Sequence, residues 1–112
     1  FAVMEMSGHK PGVLEESCDL IRPHMGIVTS VSQDHYSNFR GIENTIKEKT
    51  TLVRRVAADG CVFLNADDPA VAGMAASAQA KVMTFGRLDG ANYQAVDVQQ
   101  NESGWLTFTF KH

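Results

Sequence analysis

Cysteine is nearly missing from this chain, with Cys18 and Cys61 the only two in 112 residues. Their spacing matches no metal-binding pattern and a single potential bridge makes no disulfide framework, so both are read as reduced, buried thiols. Positive charge is also short. Ten lysines and arginines stand against thirteen aspartates and glutamates, a net charge of −3, which argues against nucleic acid or an anionic membrane as the main partner. No apolar run approaches the roughly 20 residues that span a bilayer, and no signal peptide is visible. A cytoplasmic location without membrane insertion is expected. The chain also has no Gly-x-x-x-x-Gly-Lys-Ser/Thr and no other glycine-rich loop to cradle a triphosphate. Internal repeats and low-complexity segments are absent too.

What remains is the composition of a soluble globular protein, 44% hydrophobic and 21% charged, which excludes disorder. The length suffices for one core and not for two. Phe1 to Met6 begins within an apparent strand and without an initiator methionine, while Trp105 to Phe110 alternates like a strand almost to the end. The chain therefore reads as a piece of a longer polypeptide, with N- and C-terminal parts missing.

The pattern along the chain predicts an α/β fold. Phe1 to Met6 reads as a strand, and a helix over Val13 to Arg22 ends at Pro23. Gly26 to Val31 is a β-branched strand, Gly41 to Ala57 an amphipathic helix, and Cys61 to Leu64 a short apolar run expected to be buried on both faces. Asp68 and Pro69 make a good N-cap and first helical residue for a short helix to about Ala76. Lys81 to Phe85 is a further strand, and Tyr93 to Val98 with Trp105 to Phe110 suggests an antiparallel pair. The expected architecture is a mainly parallel open sheet with flanking helices and a C-terminal antiparallel strand pair. Ligands of such sheets bind beyond the carboxyl ends of the strands.

Polar residues in unexpected places cluster at those ends. With each helical residue turning about 100°, Ile42, Ile46, Val53 and Val56 fall within a sector of roughly 80° on the helical wheel, and Lys49 projects inside it. Lys49 either snorkels to water at a domain edge or is held at a site. Glu5 lies between Met4 and Met6, where an unpaired carboxylate is costly. It either reaches an exposed tip or meets a cation, and Mg²⁺ suits such a hard oxygen ligand. His35, after the second strand, is a surface histidine or a metal ligand and proton carrier. Helix capping explains Asp68 and Pro69 fully and leaves Asn65 unexplained. A carboxylate, an imidazole and a lysine at one sheet edge fit a divalent-cation phosphate site.

Four ordered segments carry a resemblance to a known family. They are Val3-Met-Glu-Met-Ser-Gly, Arg22-Pro-His-Met-Gly-Ile-Val-Thr-Ser-Val with Asp34-His35, Ile42-Glu-Asn-Thr-Ile-Lys-Glu-Lys49, and Asp59-Gly-Cys-Val-Phe-Leu-Asn-Ala-Asp-Asp-Pro69. In order and spacing they resemble the later part of the central ATP-binding domain of the Mur ligases, and they span most of the chain. The resemblance implies a fragment of a P-loop-type ATPase domain whose P-loop lies upstream. It also implies a ligase that joins a carboxylate to an amine with ATP, through an acyl phosphate, in peptidoglycan precursor synthesis. Carried over by position, Glu5 looks like the Mg²⁺-binding glutamate near the γ-phosphate, and His35 like the ligand of a second metal ion. Lys49 looks like the lysine that reacts with CO₂ to become a carbamate and holds that second ion, while Asn65 looks like the residue that contacts the adenine. Burial on an apolar face lowers a lysine's pKa and so favours the neutral amine that carbamylation needs.

Within the family, Lys10-Pro-Gly, the helix after it and Arg22-Pro are most similar to the enzymes that add D-alanyl-D-alanine to UDP-N-acetylmuramoyl-tripeptide. Ser30 stands where an asparagine is common, and Ser7-Gly8-His9 is only partly like the family's loop. Both departures bear on the acceptor more than on the ATP chemistry. The implied partners are ATP, a UDP-muramoyl-peptide and an amino acid or dipeptide, and the isolated fragment is expected to be inactive. The alternative is a non-catalytic Mur-ligase-like domain that serves as an interaction module. A metal-dependent hydrolase would need more ligands than these residues offer.

Overall fold

A computed structural model describes residues 2–8, 10–32 and 41–112. Gly12, in the left-handed region at φ 87°, turns the chain into helix α1, Val13–Ile21. Strand β1, Met25–Val28, follows, then helix α2, Ile42–Arg55, and strand β2, Cys61–Asn65. Asp68 starts the short helix α3, Pro69–Gly73, and a 3₁₀ turn continues it over Met74–Ser77. Strands β3, Lys81–Gly86, β4, Tyr93–Gln100, and β5, Leu106–Lys111, complete the chain.

The five strands form one sheet in the order β1-β2-β3-β4-β5. The first three joins are parallel and the last is antiparallel, so the α/β class and the terminal antiparallel pair agree with the sequence. Helix α2 lies against β1 at Gly26, where a Cβ would stand 3.0 Å from Val56 and 3.3 Å from Leu52. The core sits there, between the helices and one sheet face, built from Val28, Val53, Val56, Val62, Leu64 and Val71 with Met74 and Ala80.

Three expectations change. Residues 2–8 form no strand and pair with none of the five, so their backbone does not extend the ladder at β1. β2 is not buried on both faces: Val62 and Leu64 are buried while Cys61, Phe63 and Asn65 are half-exposed, because the described helices cover one face only. β1 ends at Val28 and not at Val31, since the next backbone groups are taken by side chains rather than by a neighbouring strand. No helix among the described residues is long and apolar enough to cross a membrane.

Candidate functional site

Beyond β1, three side chains grip three successive residues. The Asn65 Nδ2 donates to the Thr29 carbonyl at 2.8 Å, the Lys49 Nζ donates to the Ser30 carbonyl at 2.8 Å, and the Val31 N–H donates to Asp68 Oδ2 at 2.8 Å. The grips come from the end of β2, the middle of α2 and the start of α3. Lys49 and the Asn65 to Asp68 turn, which are distant in sequence, thus meet on one strand exit.

Each grip has a local cause. Asn65 is the last residue of β2, and its Oδ1 also accepts from the Asp67 N–H at 2.9 Å, which fixes the amide orientation. One Nδ2 hydrogen remains for a ligand. Asp68 caps α3, as the sequence predicts, by accepting from the N–H groups of Ala70 at 2.9 Å and Val71 at 3.2 Å. Desolvation pushes its carboxyl up, but hydrogen bonds from the backbone of Val31, Val71 and Ala70 and the nearby Lys49 charge outweigh it, so the group titrates below the usual aspartate value. Asp67 turns the other way and holds the turn after β3 through the N–H groups of Arg87 and Leu88.

Lys49 is half-buried, and the face of α2 around it differs from the expected apolar stripe. Thr45, Glu48, Thr51 and Val53 are the buried residues of the helix, while Ile42 and Ile46 are only partly covered. The reason is that the sheet is not the only neighbour of α2: α1 and the 3₁₀ turn at Met74–Ser77 also cover part of its surface. The charge that is truly enclosed is Glu48, 7% exposed, which accepts from the N–H groups of Gly12 at 2.9 Å and Leu14 at 2.8 Å. Sequence analysis missed Glu48. Its signal was the start of α1, which has no capping side chain of its own.

Glu5 and Lys49 line one cavity of about 800 Å³ that runs along the outer edge of β1, with Ile27 and Thr29 also in its wall. Glu5 is exposed, in the irregular segment before α1 and not at a strand end. Asn65 does not line the cavity but holds Thr29, which does. His35 and Asp34 lie outside the described residues. Among the described residues no three histidine, cysteine, aspartate or glutamate side chains converge as a metal-binding cluster. Glu5 offers carboxylate oxygen, which suits a hard cation, and Lys49 would offer the same only as a carbamate. As an ammonium Lys49 has no lone pair to give.

Both cysteines are free, with Cys18 buried and Cys61 half-buried. Burial pushes the Cys18 thiol up, against the lowering effect of Arg55 and with help from Glu15 and Glu48. Such a thiol is a poor nucleophile.

Comparison with known proteins gives a consistent picture. Residues 1–112 match the family described as Mur ligase middle domain. The UDP-N-acetylmuramoyl-tripeptide--D-alanyl-D-alanine ligase of Mycobacterium leprae is 34% identical over 87 residues, 78% of this chain and 17% of that protein. The UDP-N-acetylmuramate--L-alanine ligase of Clostridium acetobutylicum is 30% identical over 112 residues, 92% of this chain and 24% of that protein. The chain therefore spans about a quarter or less of the length of these relatives. Among solved structures, the MurF ligase of Thermotoga maritima in complex with ADP superposes with a TM-score of 0.80 at 20% identity, over 95% of this chain and 24% of that one. That likeness is one of fold.

Proposed function

This chain belongs to the Mur ligase family, matching its middle domain, and from that membership we propose that the full-length protein is an ATP-dependent amide-forming ligase of peptidoglycan precursor synthesis. The chain would be the later part of the central ATP-binding domain, with a P-loop upstream. In the reaction a carboxylate oxygen of a UDP-muramoyl-peptide attacks the γ-phosphorus of ATP, and ADP leaves. The amine of an amino acid or dipeptide then attacks the acyl carbon, loses a proton and expels phosphate. The relative that joins D-alanyl-D-alanine favours a dipeptide as the amine.

The observation that carries this reading is the match of residues 1–112 to the Mur ligase middle domain, and Glu5 and Lys49 both line one cavity. Glu5 would hold one Mg²⁺, and His35 with Lys49 as a carbamate would hold a second ion; the two cations would neutralise the γ-phosphate and the incoming carboxylate, two anions that otherwise repel. The chain's own residues do the rest. Carbamylation joins the neutral Lys49 amine to CO₂ with loss of a proton, and the remaining N–H can still donate to the Ser30 carbonyl that the amine now contacts. Asn65 holds Thr29 at the cavity wall and keeps one N–H for the adenine. These roles of Lys49 and His35 are catalytic, and that of Asn65 is nucleotide binding.

The test is ADP release by the full-length protein with Mg²⁺ and bicarbonate, using UDP-muramoyl-peptides with D-alanyl-D-alanine or single amino acids, beside Lys49→Ala. Turnover should require both substrates and fall at least about a hundredfold in the variant, the upper end of what losing an outer-shell partner of a metal ligand costs. A folded parent that binds neither ATP nor muramoyl-peptide would replace the ligase reading with the interaction module.

A further inference from the structure

Three of the chain's five arginines line a second groove, of about 650 Å³: Arg22, Arg54 and Arg55. Pro23, Ala57 and Gln79, which also line it, each precede one of the parallel strands β1, β2 and β3 by a few residues. The groove therefore lies at the amino end of the sheet, opposite the strand exit at Thr29 to Val31.

Its charge suits an anion. Asp19 is the one carboxylate in the lining, and it already pairs with Arg55, which also reaches Glu15 at 3.4 Å. Arg22 and Arg54 are exposed and have no carboxylate partner among the described residues. Arg54 Nη2 donates to Thr51 Oγ1 at 3.2 Å, one of the five N–H donors that a guanidinium offers. Helix capping does not account for the two. Arginines in a last turn can hold orphan carbonyls, but at the end of α2 Gln79 Nε2 donates to the Arg54 and Val56 carbonyls at 3.1 and 3.0 Å, and Val56 N–H donates to the Leu52 carbonyl. At the end of α1 the backbone N–H of Arg22 donates to the Cys18 carbonyl, with φ at 51° in the left-handed region. Glycine would make that bond with less strain, so the guanidinium at position 22 is left for another role.

We propose that this groove docks an acidic segment of a partner protein, whose carboxylates pair with Arg22 and Arg54. Guanidinium forks match carboxylate geometry. Spaced carboxylates suit the groove better than a phosphate, because α1 and α2 both end beside it and their negative ends oppose a compact, doubly charged group. With a net charge of −3 on the whole chain, the attraction is local to the groove.

The experiment follows fluorescence anisotropy of a labelled hexaglutamate peptide, beside hexaglutamine, on the full-length protein at low ionic strength. The proteins are wild type, R22G, R54Q, the double variant and K111Q, which removes an exposed charge on β5. R22G keeps the left-handed backbone, and R54Q alone serves if R22G does not fold. Arg54 borders only this groove, whereas Arg22 also borders the cavity of Glu5 and Lys49, so R54Q separates the two sites. Hexaglutamate should bind wild type and K111Q alike and the double variant about tenfold more weakly, the size of two exposed ion pairs, with each single variant between; hexaglutamine should not bind. No binding by wild type, equal affinity in wild type and folded R54Q, or an equal loss in K111Q would overturn the proposal. Displacement of the peptide by inorganic phosphate at concentrations where acetate has no effect would also overturn it, in favour of a phosphorylated ligand.

Discussion

Asp68 shows how one carboxylate can serve two elements at once. Oδ1 caps α3 and Oδ2 receives Val31 N–H, so Asp68→Ala removes a cap worth about 1 kcal/mol and leaves a part-buried donor unpaired, a combined loss of about 2–3 kcal/mol. Hydrogen exchange in the full-length protein should quicken at Val31 and in residues 69–73. Because the folded carboxyl titrates below its ordinary value, its contribution is complete above the unfolded value of about 3.9 and is lost as pH falls through the folded one. The stability gap between wild type and Asp68→Asn should therefore be constant near neutrality and narrow below about pH 4, as thermal melts across that range would show. Lys49 stands on the same exit. Its hydrogen bond to the Ser30 carbonyl gives it a structural role there.

At the level of elements, the β1 to β2 join depends on a glycine. Gly60 N–H donates to the Ala57 carbonyl, Cys61 N–H to the His24 carbonyl, and a Cβ at position 60 would collide with that same His24 oxygen. The obstacle is backbone and cannot rotate away. Gly60→Ala should cost about 3 kcal/mol, the upper end of overpacking effects, read as a lower melting temperature and faster exchange in β1 and β2. Periodicity located α2 to within two residues and put Lys49 near its covered face, because a 3.6-residue repeat is a property of the helix alone. It misjudged what covers that face. Glu48 and Thr51 are buried, and Ile42 is partly open, because the packing of α1 on α2 is decided by the turn at Gly12 and the connection through Pro23 rather than by the α2 sequence.

Across the whole molecule, apolar surface is unevenly distributed. Trp105 is 74% exposed and Leu106, Phe108 and Phe110 are also open on the β4 to β5 hairpin, where Asp97, at φ 53°, sits in the break of register between Val96 and Gln99. Only Phe85 and Gly86 of β3 pair with β4, so the hairpin extends past the rest of the sheet. The radius of gyration of 15.0 Å accordingly exceeds the roughly 13 Å expected for a compact chain of this length. Edge strands with exposed aromatic faces promote association. Taken by itself, the 112-residue chain should self-associate, and replacing Phe108 and Phe110 by lysine should reduce this, measured by light scattering, without loosening the core around Leu64.

The sequence by itself determined the α/β class, the mainly parallel sheet with its antiparallel ending, the Asp68 cap and the family, since these rest on local periodicity, turn chemistry and motifs in order. It also singled out Glu5, Lys49 and Asn65, because a polar side chain in an apolar stretch stands out without any fold. Tertiary structure alone decided that Lys49, Asn65 and Asp68 converge on Thr29 to Val31, that β1 stops at Val28, and that residues 2–8 remain outside the sheet. It alone brought Glu48 to the start of α1. The physical reason is range: propensity and pattern act between near neighbours, whereas these contacts join groups 19 to 37 residues apart that no local rule connects.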